Sequence, residues 1–217
     1  MTTFHIDSES APPASPALAQ ALVGVFSRSA AMGVLTGPTV TQLDGAAVRQ
    51  LLNDLQRHDI GGAAAVALAP LLDDAGTALG TRDGAALVYR LDQVAEALEA
   101  SATPSTEWPA LREVFGDELL GALLGVSMSS LRRYGAAERD TPAGVVDRLH
   151  WLAMVVADLN GGYNNYGIRR WFERPRSQLS GQSPRTLLGS QWHVDDEAAL
   201  RVRKLAGALT GAMPLAV

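Results

Sequence analysis

Apolar residues recur along this chain with the period of amphipathic helices. Leu22, Val25 and Phe26 fall on one helical face, and Val48, Leu51, Leu52 and Leu55 fall on another behind Asp44. Residues 63–72 are apolar throughout and read as a buried helix, with Pro70 tolerated only near an end or a kink. Residues 85–89 allow a short strand or the start of a helix carrying Leu91, Val94 and Leu98. No partner strand is evident, so a helix is expected. Further on, Thr141-Pro142 offers a cap and a proline at the first helical position. Val145, Leu149, Leu152, Val156 and Leu159 follow as one stripe, which Asn160-Gly161-Gly162 ends. Ile168, Trp171 and Phe172 predict a short helix that stops before Pro175. Ser183-Pro184 opens another, carrying Leu187 and Leu188. Asp195 and Asp196 open a last helix with Ala198, Val202, Leu205 and Leu209 on one face. The expected fold class is mainly all-α.

Between these patterns the composition shifts. Residues 1–16 are rich in serine, proline and acid and are expected to be a disordered tail. Residues 17–100 form a helical N-terminal region. Residues 101–109, SATPSTEWP, read as a linker.

The string LLGVSMSSLRRY, residues 123–134, has the form of a helix-turn-helix. Such a unit needs a small residue where the second helix crosses the first, and a glycine to open the turn with a left-handed backbone. Gly121 and Gly125 stand at these places. Leu120, Leu124, Val126, Leu131 and Tyr134 then take the buried positions, although a β-branched residue is more usual where Tyr134 stands. The first helix is expected over residues 117–124, and Ser127 can cap the second. Ser127, Met128, Ser129, Arg132 and Arg133 face outwards. The start of the second helix enters the major groove in such units, where arginine meets guanine edges or phosphates and serine is an adaptable partner. The competing reading is a helical hairpin in a packed core.

Charge narrows how DNA could be held. Residues 1–110 carry 5 basic and 12 acidic side chains, net −7, whereas residues 111–217 carry 13 and 11, net +2. A chain of net charge −5 does not hold nucleic acid by bulk attraction, so binding rests on a local patch, for which Arg132, Arg133 and Arg139 qualify. A second basic cluster, Arg169, Arg170, Arg174, Arg176 and Arg185, has only Glu173 among it and reads as an exposed interaction surface.

Chemistry is scarce. There is no cysteine, and His5, His58, His150 and His193 are scattered without ligand spacing. Phosphate-loop and nucleophile-elbow patterns are absent. His193 with Asp195 and Asp196 is a conceivable site, but a helix start explains the two acids better. No enzyme, cofactor or metal site is expected. No basic region precedes an apolar run at the start, and residues 61–72 are too short to span a bilayer, so a cytoplasmic location without membrane contact is expected.

The second string, GIRRWFERPRSQLSGQSPRTLL, residues 167–188, resembles the toxin-binding segment of the Xre/MbcA/ParS antitoxin family. In that family a helix-turn-helix precedes a short helix with a tryptophan. A proline, a leucine, a glycine and a Ser-Pro pair then follow. Trp171, Pro175, Leu179, Gly181, Ser183, Pro184 and Leu187 stand here in that order. The resemblance covers residues 110–211. It implies an Xre-like helix-turn-helix domain over residues 110–160 and a small helical toxin-binding domain over residues 161–217. It further implies an antitoxin of a type II toxin-antitoxin system, which blocks a RES-type NAD-degrading toxin and represses its own operon. The implied partners are that toxin, operator duplex DNA and a second copy of the chain; a stripe like that of residues 145–159 is usually core, but in such antitoxins it can supply part of the dimer contact. The implied toxin-binding residues are Arg170, Trp171, Phe172, Arg174, Pro175, Leu179, Gly181, Ser183, Pro184 and Leu187. Among these, Arg170 and Arg174 would anchor the toxin, with Phe172 if it faces outwards, while Trp171 belongs in the core. Two departures leave the partner's identity open. The first 110 residues have no counterpart in short family members, and SQWHV, residues 190–194, differs from the usual loop. The alternative is a stand-alone helix-turn-helix regulator with an N-terminal sensing or interaction region.

Overall fold

A computed structural model describes residues 15–35, 44–72, 79–80 and 83–209. Ten α-helices and two 3-10 turns are formed, with no strand among the described residues, so the fold is mainly all-α. The chain divides between Ser101 and Ala102 into two compact units. The expected tail, residues 1–16, lies outside the described residues except for Ser15 and Pro16, which open the first helix; residues 210–217 also lie outside.

In the N-terminal unit, Ser15 accepts the Leu18 N–H at 3.2 Å and starts α1 (Pro16–Ala31). Asp44 accepts from Ala47 at 2.8 Å and starts α2 (Gly45–Arg57). Both are side-chain caps for donors that a helix start leaves unpaired. The apolar run forms α3 (Gly62–Leu68) and then tightens into a 3-10 turn, Ala69–Leu72, with Pro70 at this end as its missing N–H requires. α4 (Gly84–Glu99) is helical from its first residues, as the lack of a partner strand implied. Leu18, Leu22, Val25 and Phe26 of α1 are buried, as are Leu87, Leu91, Val94 and Leu98 of α4, and these two helices pack along one another. Arg28 closes their ends by pairing with Glu99 at 3.1 Å.

The C-terminal unit begins with α5 (Pro104–Leu124). The expected linker over 101–109 is therefore helix from Pro104 onward. Thr103-Pro104 is a helix start, with proline at a first-turn position where its missing N–H costs nothing. What fixes this turn is distant in sequence. Trp108 is buried and donates its indole N–H to Thr141 at 3.0 Å. Glu107 is buried and meets His150 Nδ1 at 2.6 Å. Thr141 is thus an acceptor for Trp108 and not the cap of the following helix, whose cap position is Pro142.

Gly116 breaks α5 with φ 72 and ψ 164, so its second half starts at Asp117, where the sequence placed a helix start. Arg112 bridges the break, donating to both oxygens of Asp117 at 2.8 and 3.0 Å. These hydrogen bonds hold the Asp117 carboxyl below its ordinary value of 3.8. Their stabilisation is complete above that value and is lost as pH falls through the lowered native one.

α6 (Met128–Gly135), α7 (Ala143–Leu159), α8 (Asn165–Glu173), a 3-10 turn (Ser177–Leu179), α9 (Pro184–Leu188) and α10 (Glu197–Leu209) complete the unit. α7 lies at its centre, against α5 and α10. Residues 151–157 of α7 are buried without interruption, the mark of a helix covered on all sides. Val145, Leu149, Leu152, Val156 and Leu159 are therefore used inside this chain. They are not free to form the expected dimer contact.

α10 buries Ala199, Val202 and Ala206, whereas Ala198 and Leu205 are half-buried and Leu209 is exposed. The apolar face is rotated from the expected one because small alanines allow close approach to neighbouring helices. Arg203 fixes α10 to α7 by donating to Asp158 at 2.7 Å. Among the described residues no single helix is long and apolar enough to cross a membrane.

Candidate functional site

The second half of α5 and α6 are joined by a turn made by Gly125, Val126 and Ser127. Gly125 has φ 66 and ψ 34, a left-handed conformation that glycine adopts without strain. A Cβ added there would also collide with the Ser190 carbonyl oxygen, so two independent demands select glycine. Gly121 answers the need for a small residue at the crossing. A Cβ there would lie 3.3 Å from the Val126 carbonyl and 3.5 Å from Leu131. Leu120, Leu124, Leu131 and Tyr134 are buried as expected, and Val126 is half-buried. Tyr134 fits because Trp108 packs against it, with ring centroids 6.1 Å apart. The large residue at this place is thus matched by the part of α5 that reads as linker in the sequence.

Ser127, Met128, Ser129, Arg132 and Arg133 are all exposed. Ser127 caps α6 by accepting the Ser130 N–H at 3.2 Å, and its hydroxyl lies within 3.0 Å of the Ser129 hydroxyl and 3.1 Å of the Ser130 hydroxyl. Arg139 is also exposed, with its guanidinium 5.8 Å from the Tyr134 ring centre. α6 therefore presents serines at its start and two guanidiniums one turn on.

The second basic cluster is smaller than expected. Arg170, Arg174 and Arg185 are exposed, but Arg169 and Arg176 are half-buried. Arg169 reaches from α8 to the α5 break and donates to the carbonyls of Glu113 and Val114. It caps carbonyls that the break leaves without helical donors. Arg176 lies over the Trp171 ring at 5.1 Å. These two arginines hold structure and do not form part of an open basic surface.

The same division runs through the string 170–187. Trp171, Leu179, Ser183 and Pro184 are buried, and Leu187 is half-buried. Phe172 is fully buried and meets Phe115 edge-on at 5.1 Å, so it does not face outwards. The reason is that α8 has one apolar face, Ile168, Trp171 and Phe172, and docks it against α5. Ser183 caps α9 through the Thr186 N–H at 3.1 Å. Arg170, Arg174, Pro175 and Gly181 remain exposed.

An exposed aromatic joins them. Tyr166 is 64% exposed, and Arg170 donates to its hydroxyl at 2.8 Å while lying 5.6 Å from its ring centre. The signal for this pair was the i, i+4 spacing, which places two side chains of a helix side by side.

Trp192 is the main residue the sequence reading missed. It is buried, donates its indole N–H to the Leu123 carbonyl at 2.8 Å, and packs on Trp151 at 4.8 Å. Its own carbonyl accepts from Arg148 at 3.1 Å, a guanidinium whose pKa burial pushes down. The SQWHV segment thus seats itself on the last turn of α5. Asp196 accepts the His193 N–H at 2.7 Å, which is helix-start chemistry. Among the described residues no group of three or more His, Asp or Glu could hold a metal ion. Compared with models of known protein families, with curated proteins and with solved structures, the chain finds no match.

Proposed function

We propose that this chain is a DNA-binding antitoxin of a type II toxin-antitoxin system, acting in the cytoplasm. α6 is its reading helix in a helix-turn-helix. One observation carries this: Ser127, Met128, Ser129, Arg132 and Arg133 are all exposed on a short helix set against α5 by a turn that only glycine at 125 permits. The chain binds its operator as a dimer, through a surface other than the internal 145–159 stripe. Replacing Arg132 and Arg133 together by alanine is expected to remove operator binding and keep the fold, since both side chains are exposed. Each base-contacting arginine is worth roughly 1–3 kcal/mol. Fluorescence anisotropy against the DNA upstream of the gene measures this, and an unchanged affinity in the folded double variant would refute the role of α6.

The partner half of the proposal rests on the resemblance of residues 167–188 and on the exposed Tyr166, Arg170 and Arg174. Arginine and tyrosine are the residues that most often carry interface energy. In this reading the face blocks a RES-type NAD-degrading toxin, with Trp171, Phe172, Leu179, Ser183, Pro184 and Leu187 keeping its shape. Reversing Arg170 and Arg174 to glutamate is expected to abolish protection of cells that co-express the neighbouring gene product, while operator binding persists. Cell growth and NAD level are the readouts. Full protection by the double variant, or a neighbour that is harmless alone, would leave the stand-alone regulator in its place.

A further inference from the structure

Met128 is the first residue of α6 and keeps 37% of its surface exposed. Helix starts favour acidic or polar side chains, because their unpaired N–H groups are positive. Part of the Met128 thioether packs at the α5–α6 crossing and the rest faces outwards. Its sulfur lies 3.7 Å from the Cβ that Gly121 lacks. The hydroxyls beside it, those of Ser127, Ser129 and Ser130, are engaged with one another. The leading edge of α6 is therefore a partly exposed apolar side chain set among hydroxyls that hydrogen-bond one another. In the major groove every base pair offers hydrogen-bonding groups, but the one apolar group is the C5 methyl of thymine.

We infer that Met128 is a specificity-determining residue that packs on a thymine C5 methyl, so the ligand is duplex DNA with a thymine facing the start of α6. This rests on the DNA-reading role of α6 proposed above. Arg132 and Arg133 follow one turn later and contact guanine edges or phosphates independently of that thymine.

The test uses the full chain to select sites from a random duplex pool. Each selected thymine is then replaced in turn by deoxyuridine, which removes the methyl alone. At one thymine the replacement is expected to weaken wild-type binding about fourfold, the worth of one buried methyl group. Met128→Ala is expected to bind the thymine duplex more weakly by a similar factor and to bind thymine and uracil duplexes equally. Met128→Leu keeps an apolar tip and is expected to keep the distinction. Circular dichroism confirms that each variant is folded. Equal wild-type binding to thymine and uracil at every position, or a Met128→Ala chain that still distinguishes them, overturns the inference. In that case the loss of binding in the Arg132, Arg133 double variant still supports DNA reading by α6. A pool with no enriched sequence removes DNA reading itself, and the thymine contact with it.

Discussion

Trp192→Ala is expected to destabilise the C-terminal unit by about 3–5 kcal/mol, the usual cost of deleting a large buried aromatic. Three losses coincide. The ring leaves a cavity beside Trp151. The Leu123 carbonyl, in the last turn of α5, loses its indole donor, and carbonyls at a helix end have no intrahelical replacement. The segment around Ser190 also loses its anchor against the turn. Trp192→Phe separates these effects, because it keeps a ring and removes only the hydrogen bond, at roughly 1–3 kcal/mol for a buried acceptor left alone. All four tryptophans lie in the C-terminal unit, so their fluorescence in urea follows the unfolding of this unit. A midpoint unchanged by the alanine substitution would show that the segment is not fixed by Trp192.

His150→Ala is expected to cost about 1–3 kcal/mol or more, the cost of leaving a buried polar group without its partner. Glu107 has no exposed surface, and one of its oxygens meets His150 Nδ1 at 2.6 Å. Its other oxygen has no partner among the described residues. Removing the imidazole therefore strands a carboxyl group between α5 and α7. Replacing both residues by leucine is expected to recover much of the loss, since an apolar pair has nothing to desolvate. Denaturation of Glu107→Leu, His150→Leu and the double variant gives the coupling directly. Additive losses would mean that the contact contributes nothing of its own.

These two pairs also show where sequence reading stopped. α2 and α9 were legible because an apolar set and a capping residue, Asp44 or Ser183, are both local signals, whereas α1 and α8 were read from their apolar residues alone and the cap Ser15 was assigned to the tail. The first turns of α5 were not. SATPSTEWP has linker composition, and what makes it helix is the docking of Glu107 and Trp108 on partners 43 and 33 residues away. The outward face of α6 was legible for the opposite reason, since eight residues set it. Arg169 looked like its neighbours, because the carbonyls it serves lie 55 and 56 residues back, at a break created by Gly116. The buried face of α10 turned on size: hydrophobicity favours Leu205 and Leu209, but packing took Ala199 and Ala206.

The contact between Trp192 and the Leu123 carbonyl spans 69 residues of chain. During synthesis, α6 leaves the ribosome well before the segment that seats its turn. Until Trp192 emerges, Gly125 has no Ser190 carbonyl against it and α5 ends on an unserved carbonyl. A nascent or prematurely terminated chain therefore carries the arginines of α6 without the support that sets their angle. A message cut short before residue 192 yields a product whose α5–α6 turn lacks its seat.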